Sequence, residues 1–124
     1  MYELKITTAF AAAHCLREFR GKCEDLHGHN WKIEVYVRSS ELDKIGLVID
    51  FKEIKTATSE VLEELDHKYL NDLPAFSVEN PSSENIARYI YNALSEKLNR
   101  GTIKVYKVTA WESDDACCSY FEDA

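Results

Sequence analysis

Between His29 and Arg38, Trp31, Ile33, Val35 and Val37 alternate with Lys32, Glu34, Tyr36 and Arg38, a period of two that predicts a strand with one buried face. Upstream, residues 2–13 mix apolar and polar positions with Ile6, Thr7, Thr8 and Phe10, and read as a first strand. Further on the period changes. From Phe51 to Leu65, the residues Ile54, Ala57, Val61, Leu62 and Leu65 recur at helical spacing, and Asp50 is placed to cap the helix. This helix is expected to stop near Asp66-His67-Lys68-Tyr69-Leu70-Asn71, with a loop over 72–81 that holds both prolines. A second helix begins at Ser82 or Ser83, carries Ile86, Ile90, Ala93, Leu94 and Leu98 on one stripe, and ends at Asn99-Arg100-Gly101. Ile103, Val105 and Val108 mark a third strand reaching Trp111-Glu112, and residues 117–122 a fourth. The order strand, strand, helix, helix, strand, strand predicts an α+β layer: a four-stranded antiparallel sheet with two helices on one face. Such a sheet has two open edges, which pairing between copies would close.

A chain of 124 residues is large enough for one real core and too small for two, so residues 1–124 form a single domain. The net charge of −7 leaves no basic patch for phosphate backbones, which argues against nucleic acid as a partner while allowing a small anionic ligand. No run approaches membrane-spanning length, and Met1-Tyr2-Glu3-Leu4-Lys5 lacks a charged-then-apolar leader. A cytoplasmic protein without a membrane partner is the expectation. Four cysteines, two of them adjacent, are few for a disulfide scaffold. Cys15, Cys117 and Cys118 are therefore expected to be free thiols that pack as small apolar residues.

The candidate chemistry concentrates in Cys23-Glu24-Asp25-Leu26-His27-Gly28-His29, read with His14 upstream. On an extended backbone His27 and His29 project from one face, and they share the register of Trp31 and Ile33, the buried side. Gly28 between them would let another group pack closely. If the strand ending at His14 lies beside this one, three imidazoles converge, a donor set suited to catalytic zinc with an open fourth position. A structural zinc closed by Cys23 has the same spacing. Cys23, Glu24, the pair Asp66-His67, and Glu112 are the ionisable groups placed for work around such a metal. A nearby thiolate acts as base when its pKa is depressed, and an Asp-His pair tunes an imidazole for proton transfer. Alternatively, His67 is a helix-terminal histidine and Glu112 an exposed strand-end residue.

Along essentially its whole length the sequence resembles the 6-pyruvoyl-tetrahydropterin synthase and 6-carboxy-tetrahydropterin synthase family. The resemblance is carried by Phe10-Ala11-Ala12-Ala13-His14, by Cys23 four residues before His27 in Cys23-x-x-x-His27-Gly28-His29-Asn30, and by Val48-Ile49-Asp50-Phe51. It continues in Leu65-Asp66-His67-Lys68-Tyr69-Leu70-Asn71, Asn80-Pro81-Ser82-Ser83-Glu84-Asn85 and Trp111-Glu112-Ser113. The resemblance implies a tunnelling fold, in which sheets pair into a trimeric barrel and two trimers stack as a homohexamer with active sites at subunit interfaces. It also implies Zn2+ on His14, His27 and His29, Cys23 as general base, and Asp66 and His67 in proton transfer. Glu112 would hold the pterin ring. The implied activity is that of a 6-carboxy-tetrahydropterin synthase, a lyase acting on 7,8-dihydroneopterin triphosphate in the deazapurine (queuosine) pathway. The alternatives within the family are the 6-pyruvoyl product and the 6-hydroxymethyl product of the folate branch. Family members of the last kind carry Glu-x-x-His-Gly-His in place of the Cys motif, and here Glu24 satisfies that pattern beside Cys23. The combination points to a bifunctional enzyme. A non-catalytic, zinc-stabilised binding module is the more distant alternative.

Overall fold

The computed structural model describes residues 1–17 and 27–122, with the backbone alone at His27. Two thirteen-residue strands, β1 (Tyr2–His14) and β2 (His27–Ser39), pair antiparallel along their whole length, from Tyr2 opposite Ser39 to His14 opposite His27. The chain then forms α1 (Phe51–Glu63), a two-residue strand β3 (Lys68–Tyr69), two 3₁₀ turns, and α2 (Ser83–Leu98). It returns to the sheet as β4 (Lys104–Ser113) and β5 (Ala116–Phe121). The sheet order is β3-β1-β2-β4-β5. The four expected strands form its antiparallel body. β3 adds a fifth at the edge, running parallel to Ala12–Ala13.

The caps fall where the sequence places them. The Asp50 carboxylate accepts from the Lys52 amide and the Ser82 hydroxyl from the Asn85 amide, each satisfying a donor that the first helical turn leaves open. Both helices cover one face of the sheet. Trp31, Ile33, Val35 and Val37 of β2 are wholly buried there with Ile54 of α1 and Ile86, Ile90 and Leu94 of α2. The alternate positions of β2 face away from the helices and carry polar pairs: Lys5 reaches the Glu34 carboxylate at 3.1 Å, and Lys107 lies over the Tyr36 ring.

Two irregularities bend β4. Tyr36 faces Lys107 while Val37 faces Val105, leaving Tyr106 as an extra residue. Further along, Trp111 faces Cys117 while Ser113 faces Ala116, so Glu112 is the extra residue there. A bulge of this kind breaks the ladder locally and re-aims the side chain it carries.

The cysteines depart from expectation at two places. Cys15, only 3% exposed, is disulfide-bonded, its partner lying outside the described residues. Cys117 and Cys118 are free, but Cys117 is exposed, because strand alternation on β5 turns it away from the helices. No helix among the described residues is long and apolar enough to cross a membrane.

Candidate active site

The continuous β1–β2 pairing brings His14 and His29 to the same end of the same face, since His14 stands opposite His27 and Ala12 opposite His29. Their rings meet edge to face at 5.1 Å, over the buried indole of Trp31, which contacts both. Trp31 in turn stacks on Phe10, so the floor beneath the imidazoles is aromatic. His14 Nδ1 lies 2.8 Å from the carbonyl oxygen of Pro81, to which it donates as Nδ1–H. That bond places the proton on Nδ1 and leaves the Nε2 lone pair pointing the other way, as in metal-binding histidines oriented by a backbone carbonyl.

Glu112 completes the cluster. Its Oε1 lies 3.2 Å from His29 Nε2 and 3.6 Å from His14 Nε2. The ligand atoms of His14, His29 and Glu112 all lie within 4.8 Å of one another. Metal–ligand bonds of about 2.0–2.2 Å in a tetrahedron put neighbouring ligand atoms about 3.4 Å apart, so two nitrogens and an oxygen at these separations fit a zinc-type ion. The backbone of His27 stands at the same end of the sheet. Cys23 and Glu24 lie outside the described residues.

The pair Asp66-His67 is held beside the same strand. Asp66 Oδ1 accepts the Ala11 amide at 2.9 Å, and Oδ2 is 3.0 Å from His67 Nδ1. The Ala11 N–H and the His67 ring together outweigh desolvation and hold the Asp66 carboxyl below the usual aspartate range. His67 adopts a left-handed backbone (φ 58°), unusual for a residue with a side chain, and its own amide donates to the Ala11 carbonyl. The result is a ring 81% exposed at the rim of an open cleft of about 490 Å³. His29, Asn30, Lys68 and Tyr69 line the same cleft. Gly28 lines it too, but a Cβ built there would meet only the Ala12 carbonyl at 3.9 Å, an ordinary contact. The expected close packing against Gly28 is thus not found among the described residues.

Sequence reasoning passed over the residues that hold this end of β1 in place. Asn71 accepts from the Cys15 amide and donates to the Cys15 carbonyl, at 2.9 and 2.7 Å. Asn80 makes the same two bonds to Arg17, at 2.8 and 2.9 Å. Each asparagine imitates a paired strand where the sheet has none. The Arg17 guanidinium also donates to the carbonyls of Asn71 and Phe76, so it serves the loop rather than a ligand. On the other side, Glu34 is nearly buried. Burial opposes its charge, but the Trp111 indole N–H and Lys5 prevail and hold its carboxyl below the usual range. Lys32 caps the Trp111 ring at 4.5 Å. Trp111, the residue before Glu112, is thereby fixed from two directions.

The family model of 6-pyruvoyl tetrahydropterin synthase matches residues 3–123. A 6-carboxy-5,6,7,8-tetrahydropterin synthase of Synechocystis is 36% identical over 118 residues, covering 91% of this chain and 88% of that protein. A dihydroneopterin monophosphate aldolase of Pyrococcus furiosus is 36% identical over 107 residues, 86% of each chain. The solved structure of 6-pyruvoyl tetrahydropterin synthase from Caenorhabditis elegans superposes with a TM-score of 0.85 at 28% identity, covering 98% of this chain and 96% of that one.

Proposed function

The chain belongs to the 6-pyruvoyl tetrahydropterin synthase family, and we propose that it is a zinc-dependent 6-carboxy-tetrahydropterin synthase acting on 7,8-dihydroneopterin triphosphate. The observation that carries the reading is the cluster of buried His14 with the half-buried His29 and Glu112, of which His29 also lines the cleft that presents His67. The reaction consumes one water, eliminates triphosphate and cleaves the side chain between carbons, releasing acetaldehyde and leaving the carboxyl on the ring.

His14, His27 and His29 are the proposed zinc ligands. Together they would hold the ion, which would supply Lewis acidity toward the side-chain hydroxyls of the substrate. Cys23, in its reduced thiolate form and therefore only when Cys15 is reduced as well, would take a proton from the substrate side chain. His67, with its Nδ1 hydrogen held by Asp66, offers Nε2 to give or receive a proton at the rim of the cleft. The Glu112 carboxylate accepts two hydrogen bonds from the amino-pyrimidinone edge and sets the ring in register. Pairing of exposed sheet edges into barrels, stacked as a homohexamer, would bring a neighbouring subunit over the open side of the cleft.

A second reading is favoured by the likeness to the Pyrococcus aldolase and by Glu24 following Cys23. A carboxylate one residue along reaches a different hydroxyl proton, and removing that proton drives retro-aldol cleavage to a 6-hydroxymethyl product. Incubation of zinc-loaded protein with 7,8-dihydroneopterin triphosphate, followed by mass spectrometry of the pterins, tests both. A 6-carboxy product that disappears in Cys23→Ala supports the synthase. A 6-hydroxymethyl product lost in Glu24→Ala supports the aldolase as a further activity. Neither product would overturn the proposal.

A further inference from the structure

We propose that Cys15 is the resolving thiol of Cys23: with a disulfide oxidant the two pair and take the base out of action, and reduced thiols release it. This rests on the assignment of Cys23 as base and adds a redox control of the same site.

Cys23 is the partner of Cys15 by elimination. The chain has four cysteines. Cys15 is disulfide-bonded, while Cys117 and Cys118 are free. The two paired positions are close in sequence, so the bond closes a short loop at little entropic cost.

The surroundings of Cys15 suit a bond that is made and broken. The end of β1 is already held without it, since the side-chain amide of Asn71 bonds both the N–H and the C=O of Cys15, and Asn80 does the same for Arg17. Cys15 directly follows His14 of the metal cluster, so the bond acts at the site and does not cross-link the sheet to the helices. Cys15 is also buried, which shields its thiol from bulk reagents and leaves a thiol of its own chain as the reaction partner. The function lost on pairing is the base itself, because a sulfur in a disulfide cannot take a proton from the substrate. In a reducing compartment such bonds are characteristically transient, serving catalysis or redox sensing.

The exchange balances with glutathione disulfide as oxidant. The Cys23 thiolate attacks one of its sulfurs, forming a mixed disulfide and releasing one glutathione. Cys15 then attacks the Cys23 sulfur, the Cys15–Cys23 bond forms, and the second glutathione leaves. Two protein thiols are oxidised, one disulfide is reduced, and the two protons end on the two glutathione thiols. Excess reduced glutathione runs the same steps backwards.

The test equilibrates zinc-loaded protein in glutathione buffers of graded ratio, quenches with acid and alkylates the remaining thiols. Of the four thiols, intact mass should show all alkylated in the most reducing buffer, and only Cys117 and Cys118 in the most oxidising. Trypsin cuts after Arg17, Arg20 and Lys22, so peptides 6–17 and 23–32 stay together only through the bond. Product formation from 7,8-dihydroneopterin triphosphate should fall by about 10²-fold or more as the linked pair appears, and return in the reducing buffer. Cys15→Ala exchanges one small apolar side chain for another and should keep wild-type turnover when reduced. When oxidised, it should carry glutathione on Cys23 in place of the linked pair. Full alkylation in every buffer, or linked peptides that join other cysteines, would overturn the pairing. A linked pair that survives the most reducing buffer until urea unfolds the protein would overturn the control in favour of a structural bond. A linked pair with unchanged turnover would overturn Cys23 as base, and the control with it. No product in any buffer would overturn the synthase reading and the control that rests on it, with the pairing still decided by the peptides.

Discussion

Replacing Asn71 with alanine tests whether side-chain amides, rather than the sheet, hold the end of β1 that carries His14. The wild-type amide makes two hydrogen bonds to the backbone of Cys15, at 2.9 and 2.7 Å. Cys15 is 3% exposed, so neither its N–H nor its C=O is compensated by bulk water when the amide is removed. Each net bond is worth about 1 kcal/mol, and stranding a buried polar group costs about 1–3 kcal/mol, so Asn71→Ala should lose about 2–4 kcal/mol. At about 2.1 cal/mol/K of unfolding entropy per residue, a chain of 124 residues loses roughly 4 °C in Tm for each kcal/mol. The expected shift is about 8–15 °C. Far-UV circular dichroism, at one fixed protein concentration and with metal removed, measures the free-energy loss by urea unfolding and the Tm shift by thermal unfolding. Asn92→Ala on an exposed position of α2 is the control and should stay within about 0.5 kcal/mol. If Asn71→Ala is as mild as the control, the amide bridge does not hold this segment and the reasoning fails.

Asp66 makes a pH prediction. Its folded carboxyl is depressed, so its contribution is fully present above the ordinary aspartate value of about 3.9 and is lost as pH falls through the lower folded value. Asp66→Asn should therefore flatten the fall of stability with acid below pH of about 4, seen in urea midpoints across that range; an unchanged slope would refute the linkage. The same variant should lower kcat by about 10²–10⁴ with little change in metal affinity, as expected for a lost proton-transfer partner, and equal kcat would remove Asp66 from the chemistry. Leu94→Ala, at a wholly buried position of α2, should cost about 2–5 kcal/mol in urea unfolding, and a loss below 1 kcal/mol would mean that the helix is not packed as described. Chelation of the metal should abolish turnover and leave far-UV circular dichroism intact, because the core between sheet and helices is packed by apolar side chains and the proposed ligands sit at one end of the sheet; unfolding on chelation would instead favour the zinc-stabilised module.

The sequence determined the features that depend on near neighbours. The period of β2, the apolar stripes of α1 and α2, and the caps at Asp50 and Ser82 are each set by residues a few positions apart, and each is found in place. The motif around His14, His27 and His29 was legible for the same reason: strand alternation fixes which face a side chain takes before any partner is known. Only the tertiary structure decided the rest. β3 has two residues and exists because α1 returns the chain beside Ala12–Ala13. The Pro81 carbonyl that sets the proton of His14 is 67 residues away, and Asn71 and Asn80 reach Cys15 and Arg17 across 56 and 63. Glu112 meets the histidines because β4 pairs with β2 in a register that sets Trp111 opposite Lys32, which no local preference specifies. Local periodicity records the face a side chain occupies, whereas the hydrogen-bond partner it finds there depends on segments that meet only when the chain has closed its core.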